Sequence, residues 1–135
     1  MEPKGNFVQL NPPARLRVTI LVVDDDALIT LNTVDLLTEM GHVALEAYSA
    51  AEALRILEQR AEIAVLITDY AMPGMTGVEL AAAARALRPG LAVLLATGYA
   101  ELPEGTPCDL PRLEKPFRAD ELARRIAELL GTAAE

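Results

Sequence analysis

Six side chains in this sequence could do chemistry together, and each but the last follows a short apolar run. "ILVV" stops on Asp24, Asp25 and Asp26, and "VLIT" stops on Asp69. "LLA" stops on Thr97 and Gly98, and a last short run, "RLE", stops on Lys115 and Pro116. Two carboxylates about 4 Å apart repel by roughly 1 kcal/mol in water and about 4 kcal/mol at an effective dielectric of about 20. Crowded carboxylates therefore need a proton or a cation. Mg²⁺ suits such a group, since it prefers oxygen ligands, keeps several waters and often shares its shell with a phosphoryl group. A hydroxyl from Thr97, an ammonium from Lys115 and loop N–H groups could then hold phosphoryl oxygens. The set suits phosphoryl transfer onto a carboxylate, where catalysis is mostly positioning and charge neutralisation. Singly these residues are ordinary: acidic runs cap helices, and Thr-Gly makes turns. Their joint placement at successive run ends sets them apart.

That placement requires a particular scaffold. "RVTILVV" is nearly all apolar and reads as a strand covered on both faces. After Asp26 the period changes: Ala27, Leu31, Val34 and Leu37 predict a helix facing the core with that stripe, stopped by Gly41. "HVALEAY" is a second strand, and Ser49 with Glu52 forms a capping box before a helix bearing Ala50, Leu54 and Leu57. "IAVLIT" is a third strand. A loop built around Pro73, Gly74 and Gly77 follows, then a second capping box, Thr76 and Glu79, and a stripe of Leu80, Ala84 and Leu87. "LAVLLA" is a fourth strand, and a last helix runs from about Ala119 to Leu130 with Gly131 as its stop. Strands alternating with helices predict an α/β fold around a mostly parallel sheet, whose ligands bind beyond the C-terminal strand ends. Pro103, Pro107 and Pro111 predict a short or missing helix between the fourth and fifth strands.

A chain of 135 residues predicts one domain, here residues 17–131, with tails at 1–16 and 132–135. The net charge of −8 argues against nucleic acid and anionic membranes as partners. No run is long and apolar enough to span a bilayer, and no secretory leader is seen. The single cysteine, Cys108, suits a cytoplasmic protein. His42, the one histidine, reads as a surface or edge residue.

"ILVVDDD", "LITDYAMPGMTGVEL", "LLATGY" and "LEKPF" together resemble the receiver domain of bacterial two-component response regulators over residues 18–130. The resemblance implies a doubly wound five-stranded parallel sheet in the order 2-1-3-4-5. It implies Asp69 as phosphoacceptor, Mg²⁺ held by Asp25, Asp69 and the Ala71 carbonyl with Asp24 acting through water, Thr97 and Lys115 on the phosphoryl group, and a cis Lys115–Pro116 peptide. The implied donor is a histidine kinase or histidine phosphotransfer protein. The sequence departs from the family where Arg112 stands in the place of a switching aromatic, with Tyr99 a candidate substitute. "ATGYA…LPRLEKPF" is similar both to receivers attached to hybrid sensor kinases and to free-standing single-domain regulators, and "GNFVQLNPP" resembles the end of a kinase ATP-binding domain. With few residues after Leu130, the expected output is protein contact or phosphate relay.

Two other readings compete. "DDD" after a strand contains D-x-D, similar to the first motif of haloacid-dehalogenase-type phosphatases with Asp24 as nucleophile. A degenerate receiver acting only as a scaffold is the other, against which stand the intact acceptor, metal and lysine positions.

Overall fold

The computed structural model describes residues 17–98 and 110–131. Five strands, β1 (Thr19–Val23), β2 (Val43–Ala47), β3 (Ile63–Asp69), β4 (Ala92–Thr97) and β5 (Arg112–Glu114), alternate with helices α1 (Ala27–Glu39), α2 (Ala50–Gln59) and α3 (Gly77–Leu87), and α4 (Ala119–Leu129) follows β5. The strands form one parallel sheet in the order β2-β1-β3-β4-β5, with β1 and β3 at its centre. Central strands covered on both faces must be apolar throughout, which is why β1 and β3 read as unbroken runs.

Alternation along the strands divides the core in two. Leu21, Val23, Leu66 and Leu95 face α2 and α3, where Ala53, Leu57, Leu80 and Ala84 meet them. Ile20, Val22, Ile67 and Leu94 face α1 and α4, against Leu37, Leu122 and Ile126. Each fully buried Leu or Ile contributes roughly 1.5–3 kcal/mol relative to exposure.

The helix starts follow the capping chemistry. Thr76 and Glu79 exchange bonds at the start of α3 as a complete capping box. At α2, Ser49 accepts the Glu52 N–H, but the Glu52 carboxylate reaches Tyr48 N–H at 2.8 Å, one residue further back than a capping box requires. Gly41, φ 97°, turns the chain out of α1 in the left-handed region that glycine tolerates.

Three further expectations are corrected. In α1 the predicted stripe is rotated: Ala27 and Leu31 are exposed, and Thr30, Thr33 and Leu37 are buried. The threonine hydroxyls bond to backbone carbonyls, so their burial leaves no polar group unpaired. Leu87, predicted to face the core, is exposed at the last position of α3, where the helix runs out beyond the buried Ala84. His42 is buried, not superficial: its Nδ1 accepts the Val18 N–H at 3.2 Å and so ties the turn before β2 to the start of β1. The helix expected to be short or missing between β4 and β5, together with Tyr99 and Cys108, lies outside the described residues.

Candidate functional site

The sheet register assembles the site. Val23 pairs with Thr68, so Asp24 and Asp69 come next on adjacent central strands, and Asp69 pairs with Ala96. Thr97 follows on β4 and pairs with Glu114, which delivers Lys115 one residue later. Alternation turns Asp24, Asp69 and Lys115 toward the face covered by α1 and α4. Lys115 Nζ lies 2.7 Å from Asp69 Oδ1 and 3.3 Å from Asp24 Oδ2, with all three side chains largely buried. The cis Lys115–Pro116 peptide is present, and the Lys115 N–H donates to the Thr97 carbonyl at 2.7 Å.

Asp25 completes an acidic group: one carboxylate oxygen each from Asp24, Asp25 and Asp69 lies within 4.8 Å of the others. That span is about twice a Mg–O or Ca–O distance of roughly 2.1–2.5 Å, and an all-oxygen donor set suits a hard dication. The residues therefore fit such an ion. Burial pushes the Asp24 carboxyl above its ordinary range, and Asp25 pushes it further up. The Asp26 N–H and the Lys115 ammonium pull the other way without fully offsetting burial. A carboxylate in this condition favours a proton or a nearby cation.

Two neighbours shape the backbone under Asp69. The Thr68 hydroxyl, fully buried, donates to the Asp69 carbonyl at 3.0 Å. A Cβ at Gly77 would stand 2.2 Å from that same carbonyl oxygen, so only glycine lets α3 begin this close to the end of β3. The Gly77 N–H closes the loop on the Tyr70 carbonyl at 2.8 Å. Gly74, φ 84°, makes the loop's left-handed turn.

Of the predicted site residues, Asp24, Asp25, Asp69 and Lys115 are brought together, and buried Thr97 ends the adjoining strand. Ala71 lies two residues past Asp69 in the loop, exposed. Asp26, the third of the run, turns away to cap α1, its Oδ1 accepting the N–H groups of Leu28 and Ile29. Arg112 is exposed on β5, so no buried aromatic stands at that position to couple to Thr97. Beside Lys115 a groove of about 430 Å³ opens between Leu28, Ile29, Asn32 and Thr33 of α1 and Pro116–Phe117. Sequence reasoning missed Thr30 and Thr68. The signal for Thr30 was present in the spacing 30, 33, 37, a second helical stripe passed over because it is partly hydroxylic.

Comparison with known proteins agrees with this geometry. The response regulator receiver domain model matches residues 20–127, and the chain belongs to that family. It is 32% identical over 117 residues to the sensor kinase CckA of Brucella abortus (strain 2308), covering 83% of this chain and 12% of that one. It is 33% identical over 122 residues to a chemotaxis protein CheY homolog of Campylobacter jejuni subsp. jejuni, covering 85% of this chain and 94% of that one. A CheY-like receiver domain crystal structure from Methanospirillum hungatei JF-1 superposes with a TM-score of 0.76 at 31% identity, covering 87% and 97% of the two chains. The chain thus spans about an eighth of the sensor kinase's length and nearly all of the CheY homolog's. Membership makes this a phosphoacceptor receiver of two-component signalling, and neither the dehalogenase-like phosphatase nor the bare scaffold is favoured. No helix among the described residues is long and apolar enough to cross a membrane.

Proposed function

We propose that Asp69 is the phosphoacceptor and that it takes its phosphoryl group from a phosphohistidine on a histidine kinase or phosphotransfer protein. One observation carries the assignment: Asp69 sits buried at the lip of β3, ion-paired to Lys115 at 2.7 Å and grouped with Asp24 and Asp25. A carboxylate oxygen of Asp69 forms the new P–O bond as the P–N bond to the donor imidazole breaks. The electron pair stays on that nitrogen, which takes a proton. Lys115 keeps one charge beside the reacting oxygen throughout and passes from the carboxylate to a phosphoryl oxygen. Thr97, ending the neighbouring strand, offers a hydroxyl to another.

A divalent cation such as Mg²⁺, held by Asp25, Asp69 and the Ala71 carbonyl with Asp24 acting through water, would neutralise the charge that these groups and the phosphoryl oxygens share. The groove beside Lys115, with Leu28 exposed at its rim, gives a donor protein an apolar surface next to the acceptor. Output then passes through protein contact, either within a larger kinase or by a free receiver.

Beryllofluoride, which mimics an aspartyl phosphate, tests the assignment without a cognate kinase. With Mg²⁺ it is expected to bind the wild-type protein and shift the Asp69, Thr97 and Lys115 resonances. Asp69→Asn is expected to bind none, whereas Asp24→Asn retains the nucleophile. Equal binding by Asp69→Asn overturns the assignment.

A further inference from the structure

Asp24 and Asp25 can join Asp69 around a cation only if their loop keeps its shape, and α1 reaches back to hold it. Thr30, one turn into α1, is fully buried. Its hydroxyl lies 2.9 Å from the Asp26 carbonyl oxygen and 3.0 Å from the Asp24 carbonyl oxygen. The contact with Asp26 is the ordinary one a helical threonine makes four residues back. The contact with Asp24 spans six residues, leaves the helix and lands where β1 gives way to the acidic loop. One hydroxyl proton is shared by two carbonyls, so the residue bridges both ends of the loop.

Other bonds fix the rest of the segment. The Asp24 N–H donates to the Ala47 carbonyl at 3.2 Å, and Asp24 Oδ1 accepts the Asp26 N–H at 2.9 Å. Asp26 spends its carboxylate on the α1 cap. Asp25 lies between, exposed, and the direction of its side chain follows from the peptide plane joining it to Asp24. The Thr30 hydroxyl grips that plane by its carbonyl oxygen.

We infer that Thr30 is a positioning residue for the divalent-cation site: its hydroxyl clamps the Asp24–Asp25 peptide so that Asp25 joins Asp24 and Asp69. This rests on the reading of the acidic group as a cation site. A bond one step removed from a metal ligand orients that ligand, and its loss weakens metal binding while the ligand itself remains.

Thr33 supplies an internal control. It lies on the same helix, is equally buried and is the same residue type, but its hydroxyl bonds only the Ile29 carbonyl of its own helix, at 2.9 Å. Mg²⁺ affinity, read by calorimetric titration of wild type, Thr30→Val, Thr30→Ser and Thr33→Val, separates positioning from packing. The expected result is about a tenfold weaker Kd for Thr30→Val, with Thr30→Ser and Thr33→Val within about twofold of wild type. Amide exchange at Asp25 and Asp26 in the metal-free protein is expected to speed up in Thr30→Val alone. Thr30→Ala carries the same expectation as Thr30→Val should valine crowd the loop. Unchanged affinity in Thr30→Val and Thr30→Ala, equal loss in Thr33→Val, or no recovery in Thr30→Ser overturns the clamp. A wild-type protein that binds no Mg²⁺ overturns the cation reading itself, and the clamp with it.

Discussion

At the scale of single residues, the proposed acceptor, Asp69, is defined as much by its backbone as by its carboxylate. Gly77→Ala would put a methyl carbon 2.2 Å from the Asp69 carbonyl oxygen, with Leu95 2.8 Å away on another side. Neither the strand backbone nor the packed leucine can yield cheaply, so the variant is expected to lose about 2–4 kcal/mol in urea unfolding and most of its phosphoryl acceptance. Asp24 makes a different prediction. Its carboxyl is raised by burial, so its charge is a burden on the metal-free fold. Asp24→Asn is expected to melt at or above wild type without Mg²⁺ and to gain less than wild type when Mg²⁺ is added. Wild type at ten times its Kd should gain about 1.4 kcal/mol. The aspartates were legible in the sequence because they follow apolar runs at the C-terminal edges of strands. Thr30 and Thr68 were not, because a hydroxyl facing inward looks the same in sequence as one facing water, and only the carbonyl it meets distinguishes them.

Elements carry the next layer. Four strands were readable from short runs rich in apolar residues; the three-residue β5, Arg-Leu-Glu, has no such run, and the sheet order came from the family resemblance, since pairing order does not follow from local pattern. Helix faces were less readable. In α1 Thr30 turns inward onto the strand-end carbonyl of Asp24, and Thr33, one turn on, is buried with its hydroxyl on the Ile29 carbonyl of its own helix, while Leu28 and Leu31 stay exposed. The sheet's opposite edge has fastenings of its own. Arg88 donates to the carbonyls of Arg60, Ala61 and Ile63, at 3.3, 2.8 and 2.7 Å, and so binds the end of α3 to the start of β3. Arg88→Met is expected to cost about 1–2 kcal/mol, discounted for exposure, with no change in phosphoryl acceptance, as equilibrium unfolding and labelling together would show. His42 fastens β1 to the turn before β2 by accepting the Val18 N–H, which requires an unprotonated Nδ1. Burial, then the charge of Arg17, holds its pKa below the ordinary 6.5. The unfolded chain therefore binds the proton more readily, and this contribution to stability is present above 6.5 and is lost as pH falls toward the folded value. His42→Gln is expected to flatten the stability-versus-pH slope below about pH 6.5, measured by urea unfolding across that range.

For the molecule as a whole, the proposed function gathers carboxylates at one sheet edge, where a bound cation would relieve their mutual repulsion and make room for an anionic phosphoryl group. The chain carries a net charge of −8, yet its reacting edge gathers an ammonium with its carboxylates. That balance suits an incoming phosphoryl group better than a nucleic acid. The two halves of the core lock β1 and β3 side by side and so hold Asp24 and Asp69 at a common level, while α4 follows directly from the segment bearing Lys115. Phosphorylation would change contacts at that edge first, on elements that the rest of the fold keeps in place. The most direct test of this account labels the protein with a small acyl phosphate donor and Mg²⁺, traps the product by borohydride reduction and locates it by peptide mass spectrometry. The account predicts one modified residue, Asp69, and no modification when Mg²⁺ is chelated; reduction product at Asp24, or equal labelling without the cation, would contradict it.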